Sequence, residues 1–152
     1  LPLPSHVTVR FCPQIDLDLI DYLVTAERVI FCDATKIGEV IGTVTVHNWQ
    51  ATASWSRQPY CCHGIGLSDL VRITSELEPH VRQREIHLVG VEASVLDKFG
   101  VELSGDVCAA LPKATAAVLR LLGAGDELIS FAQEVTRQVR PPTVRDVTAS
   151  WK

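Results

Sequence analysis

Asp33 closes a compact apolar run, Arg28-Val29-Ile30-Phe31-Cys32, and His63 stands shortly before a stretch, Leu67 to Leu77, whose apolar residues recur at helical spacing. Ligands of an open α/β sheet gather outside the carboxyl ends of its parallel strands, where side chains from separate loops converge. A strand ending at Asp33 and a helix opening just after His63 bring a carboxylate and an imidazole to one rim. This requires the intervening chain to return across the sheet end. Imidazole suits nickel or zinc and a carboxylate adds charge neutralisation, so the pair predicts a partial site for a borderline divalent ion. Two ligands do not complete a site, and a plainer reading stands beside this one: Asp33 caps a turn and His63 opens a helix.

Cys61-Cys62-His63 invites a zinc reading. Structural zinc sites space their cysteines about two to four residues apart and add a second pair elsewhere, because adjacent residues chelate poorly together. No second pair is present. The same thiols would be nucleophilic if His63 lowered a pKa, although ordinary free cysteines are the simpler expectation. Glu92, Asp97 and Glu102 follow an apolar run and have the composition of paired carboxylates for acid and base work, but loops are commonly acidic, so solvated charges are expected. His6, His47, His80 and His87 lie at element edges and are expected to be structural or exposed.

The elements that must position these residues follow from periodicity. Val7, Val9 and Phe11 alternate with polar residues between Pro4 and Pro13, which predicts a strand. Asp16 can cap a short amphipathic helix to Thr25. Arg28 to Cys32 predicts a central strand covered on both faces and stopping at Asp33. Gly42 to Trp49 alternates and follows too closely for a helical crossover, so it should run antiparallel. Gln50 to Cys62 is aperiodic and reads as a long loop. Leu67, Leu70, Val71, Thr74 and Leu77 predict a helix ending before Pro79, and Ile86 to Val91 a buried strand, giving the order βαββαβ. Ser104 caps a further helix with Val107, Leu111, Ala114, Val118 and Leu121 inward, Pro112 as a kink or restart and Gly123 as its stop. Leu128, Phe131, Ala132 and Val135 suggest a last helix.

Together these predict an α/β domain over 1–140, with a mostly parallel twisted sheet, one antiparallel strand and helices on both faces in three layers, followed by a polar tail over 141–152. The 152 residues, 47% apolar and 21% charged, suit a single domain. A net charge of -4 without a basic stripe argues against nucleic acid and anionic membranes as partners. No apolar run approaches the roughly 20 residues that span a bilayer, and no export signal opens the chain. Five cysteines without a disulfide-scaffold spacing fit reduced thiols and a cytoplasmic location. The sequence contains no methionine, so the natural N-terminus is expected upstream of Leu1.

Five segments occur in order: Phe31-Cys32-Asp33-Ala34, Gly42-Thr43-Val44, His63-Gly64-Ile65-Gly66-Leu67, Leu88-Val89-Gly90-Val91 and Gly100-Val101-Glu102-Leu103-Ser104. This set resembles the nickel-iron hydrogenase maturation endopeptidases over roughly residues 6–122. The resemblance implies a protease that removes the C-terminal peptide of a hydrogenase large-subunit precursor after nickel insertion. Asp33 and His63 match the family's nickel-contacting Asp and His, and the nickel is carried by the precursor. The family also opens with a strand, a G-x-G-N turn and an acidic pair that supplies a third nickel contact. That segment is missing here, so the family's N-terminal strand and helix are expected to be absent from the fold and the third contact to lie outside this sequence. Further departures are Phe11-Cys12-Pro13-Gln14, where many relatives carry a polar turn, and the thiol pair Cys61-Cys62. Two alternatives remain: a non-catalytic binding or assembly module of the same fold, and a zinc-binding protein using Cys61, Cys62 and His63 with Asp33.

Overall fold

In the computed structural model, residues 4–12, 15–49, 66–96 and 103–138 are described. Three strands, β1 (Arg28–Thr35), β2 (Val44–Asn48) and β3 (Glu85–Glu92), form one sheet in the order β1-β3-β2. Glu85 N donates to Glu27 O (3.3 Å) and Ala93 N to Thr35 O (2.9 Å), so the pairing advances in the same direction along both strands and β1 and β3 are parallel. Gly42 N donates to Glu92 O (2.8 Å) and Glu92 N to Thr43 O (2.9 Å), so two residues oppose one in an antiparallel bulge led by Gly42 at φ +82°. The chain therefore has an α/β fold, with two parallel strands and one antiparallel strand among the described residues. β2 reverses direction as its short connection requires, yet it pairs with β3 and not with β1. β3 is the apolar centre: Ile86, Leu88, Val89 and Val91 are buried.

Two strand expectations are corrected. Residues 7–11 form no strand, and Val9 and Phe11 are 72% and 86% exposed. Alternation states which side chains could share a face, but a strand also needs a ladder partner for its backbone. Here Val7 N closes a turn onto Pro4 O (2.9 Å). The element order is accordingly αββαβαα. β1, for its part, does not stop at Asp33 but continues to Thr35, because a single carboxylate does not interrupt backbone pairing and the Thr35 carbonyl still reaches Ala93. Nor is β1 covered on both faces. Val29, Ile30 and Phe31 are half-buried and Cys32, Asp33 and Ala34 exposed, as befits an edge strand among the described residues.

The described contacts gather into two compact units. One takes the described residues up to Val29 together with those of Asn48–His87; the other takes Ile30–His47 and those from Leu88 onward. In the first, Asp16 Oδ1 accepts from Asp18 N (3.1 Å) and starts a 3-10 turn, Leu17–Leu19, that leads into α1 (Ile20–Thr25). α1 meets α2 (Leu67–Leu77), which ends before Pro79 as its sequence dictates. Leu19, Leu23, Leu70, Val71, Val81 and Ile86 are buried here. Two buried hydroxyls of α2 are satisfied within the helix, Thr74 by Leu70 O (2.8 Å) and Ser75 by Val71 O (2.7 Å).

In the second unit, α3 (Gly105–Leu121) starts at Ser104, whose Oγ accepts from Val107 N (3.4 Å), and runs through Pro112 without restarting. α4 (Asp126–Gln138) folds back on it, with Ala116 and Leu119 packed against Ile129 and Ala132. The inward stripe of α3 thus differs from the expected one. Val107, Leu111, Ala114, Val118 and Leu121 are only half-buried, while Ala110, Pro112, Ala116 and Leu119 are buried. Periodicity favours the bulkiest apolar positions, whereas two helices approach most closely where alanines face each other. On α4, Phe131 is exposed for the same reason. Gly123, at φ +75°, is the helix stop its sequence predicts, with Ala124 N returning to Leu119 O (2.9 Å).

Candidate functional site

Asp33 is exposed on β1, two residues short of the strand's end, and its Oδ1 accepts from Ala34 N at 2.8 Å. The thiol of Cys32 beside it is pushed up, first by burial of the group among its neighbours and second by the Asp33 carboxylate. Consecutive residues of a strand point to opposite faces, so Cys32 and Asp33 do not share one side of β1.

Thr35, two residues on, projects to the same face of β1 as Asp33 and is buried. Its hydroxyl lies 3.3 Å from Glu92 Oε2, an oxygen that also accepts from Ile37 N (3.0 Å); Oε1 accepts from Gly38 N (2.9 Å). Burial alone would raise the pKa of Glu92, but it is outweighed by hydrogen bonds from the backbone of Ile37 and Gly38, the Thr35 hydroxyl and the backbone of Glu39, and the carboxyl is held below its ordinary value. Glu92 is 3% exposed. It is thus not the solvated loop charge expected from its sequence, but the last residue of β3, with its carboxylate enclosed by the chain that follows Asp33. Asp97 and Glu102 lie outside the described residues.

Gly90 explains how Thr35 comes so close. A Cβ at this position would meet Thr35 Cγ2 at 2.6 Å and the Thr35 and Thr45 hydroxyls at 3.1 Å each. On β2, Thr45 Oγ1 lies 2.8 Å from His47 Nε2, and burial lowers the pKa of that imidazole. Gly42, at φ +82°, brings the chain against the start of α3, with Asp106 O only 2.8 Å from where its Cβ would stand. His80 and His87 each approach a carboxylate, Glu78 at 3.6 Å and Glu85 at 4.0 Å.

Among the described residues no three His, Cys, Asp or Glu side chains form a group that could hold a metal ion. His63, Cys61 and Cys62 lie outside the described residues, as do the loop before them and the segment 141–152. Of the expected pair, Asp33 alone is therefore placed: accessible, on a strand whose end is tied down by Glu92.

A profile of the hydrogenase maturation protease family matches residues 15–121 of the 152. The chain belongs to this family. The matched span contains Asp33, His63, Gly90 and Glu92, and the family is one of maturation endopeptidases. No curated protein and no solved structure matches. Among the described residues no helix is long and apolar enough to cross a membrane.

Thr35 and the packing role of Gly90 escaped sequence reasoning, and Glu92 was expected to be solvated. Gly90 sits inside a quoted segment, and an isolated glycine in a strand signals close approach of another chain. Glu92 gave a weaker signal, an acid directly after an apolar run, which in most sequences marks the start of a loop.

Proposed function

We propose that this protein is an endopeptidase that removes the C-terminal extension of a nickel-iron hydrogenase large-subunit precursor once nickel has been inserted, contacting the substrate's metal through Asp33 and His63. The observation that carries the reading is the family match, which spans both residues. Support comes from Asp33 itself, whose carboxylate is exposed on β1. An ionised carboxylate and a neutral imidazole suit a borderline ion such as nickel. The nickel belongs to the precursor, so the enzyme distinguishes a completed centre from an empty one by whether these two side chains find a metal to bind. Hydrolysis then takes place only on precursors that need no further loading.

The test is incubation of the purified chain with nickel-loaded and nickel-free precursor, followed by intact mass measurement of the large subunit. A mass loss equal to a C-terminal peptide, confined to the loaded precursor and abolished by Asp33→Asn or His63→Ala, is the expected result. Stable binding of loaded precursor without any mass loss would replace this reading with that of an assembly module.

A further inference from the structure

We infer that Glu92 is a positioning residue for Asp33: from the adjacent strand it fixes the backbone that presents the metal-reading carboxylate. The inference rests on the function proposed above.

Asp33 stands two residues from the end of β1, which among the described residues is an edge strand, and pairing opens most readily at such ends. The chain beyond β1, from Lys36 to Thr43, leads to β2 with no regular structure of its own beyond turns. A single residue ties both ends of that connection. The Glu92 carboxylate takes the Thr35 hydroxyl and the amides of Ile37, Gly38 and Glu39. The main chain of the same residue takes Gly42 N and gives its own N–H to Thr43 O. Thr35 O is held in turn by Ala93 N, the next residue along.

The chemistry of this clamp is specific to a carboxylate. Every group facing its two oxygens is a donor: backbone N–H on both and a hydroxyl on one. An amide of the same shape would turn one NH₂ toward a donor and leave a buried N–H without an acceptor. Gly38, at φ +95°, gives the turn the backbone conformation that directs its amide at Oε1. Gly90, with no side chain, leaves room for Thr35 to lie across β3 and present its hydroxyl to Oε2. Loss of the clamp should therefore impair recognition of the metal while leaving the residues that bind it intact.

The experiment measures KM and kcat for cleavage of nickel-loaded precursor, and Kd for its binding, with the wild-type chain and with Asp33→Asn, Glu92→Gln, Thr35→Val and Thr35→Ser. Thermal unfolding is followed alongside. Glu92→Gln is expected to raise KM and Kd about ten-fold or more, as loss of a residue supporting a metal contact does, with kcat at saturation little changed. Thr35→Val should shift KM in the same direction, and Thr35→Ser, which keeps the hydroxyl, should restore it. A Glu92→Gln chain that unfolds earlier but has an unaltered KM and Kd overturns the inference, because a merely structural role lowers the amount of active protein and not its affinity. Should Glu92→Gln fail to fold, the contrast between Thr35→Val and Thr35→Ser decides in the same way. If Asp33→Asn itself binds and cleaves like wild type, it is the metal-reading role of Asp33 that is overturned, and the inference about Glu92 falls with it.

Discussion

Replacing Gly90 with alanine sets two effects of opposite sign against each other, and the structure decides between them. Gly90 has no positive φ, so alanine can adopt its backbone conformation. At such a site the change alone stabilises by about 0.4–1 kcal/mol, through a less disordered unfolded chain. Against this stands the added methyl, 2.6 Å from Thr35 Cγ2, where carbon atoms rest at about 3.5–4.0 Å. Thr35 can withdraw its methyl by rotation only by surrendering the hydroxyl bond to Glu92, and the Thr45 hydroxyl closes the other side at 3.1 Å. Overpacking costs about 1–3 kcal/mol, and a contact below 3 Å that neither neighbour can yield freely takes the upper half of that range, so a net destabilisation of about 1–2.6 kcal/mol is expected. For a chain of this length that corresponds to a fall in Tm of about 2–10 °C. Urea and thermal unfolding followed by circular dichroism measure it. A double-mutant cycle with Thr35→Ser, which deletes the opposing methyl, should show a favourable coupling of at least about 0.5 kcal/mol. A Gly90→Ala chain as stable as wild type, or an additive cycle, would refute the close approach of Thr35 to Gly90.

The depressed pKa of Glu92 makes stability depend on acidity in a stated direction. Its contribution is fully present above the unfolded carboxyl value, near about 4.3, and is lost as pH falls through the lower folded value. Urea midpoints measured from neutral pH downward should therefore decline in that acid window more steeply for wild type than for Glu92→Gln, and equal slopes would contradict the clamp. Gly123→Ala forces a side chain into the left-handed region at φ +75° and should cost about 1–2 kcal/mol, read as an earlier urea midpoint; an unchanged midpoint would mean that the α3 stop does not need its glycine.

Much of the framework was legible from local sequence because its causes are local. The helical period of Leu67 to Leu77, the caps at Asp16 and Ser104 and the stop at Gly123 each depend on groups within a few residues of one another, and all recur in the structure. The apolar run of β3 identified the strand that is buried, and the short connection before β2 dictated its reversed direction. The strand expected over 7–11 fails for a non-local reason: its pattern is intact, but a strand exists only where another backbone accepts it.

At the candidate site, Asp33 was identified by residue type and by the family's ordered segments, which sequence alone carries. Its setting was not. That β1 continues past Asp33, that Glu92 is buried and not solvated, and that Gly90 is bare so that Thr35 can cross it all depend on which strands lie side by side. Pairing β1 with β3 in parallel brings residues more than fifty positions apart to within hydrogen-bonding distance. The sequence by itself determined α2 and α3, their ends and the family; tertiary pairing alone decided which carboxylate faces water and which one holds the backbone, because burial and hydrogen-bond partnership are properties of neighbours in space.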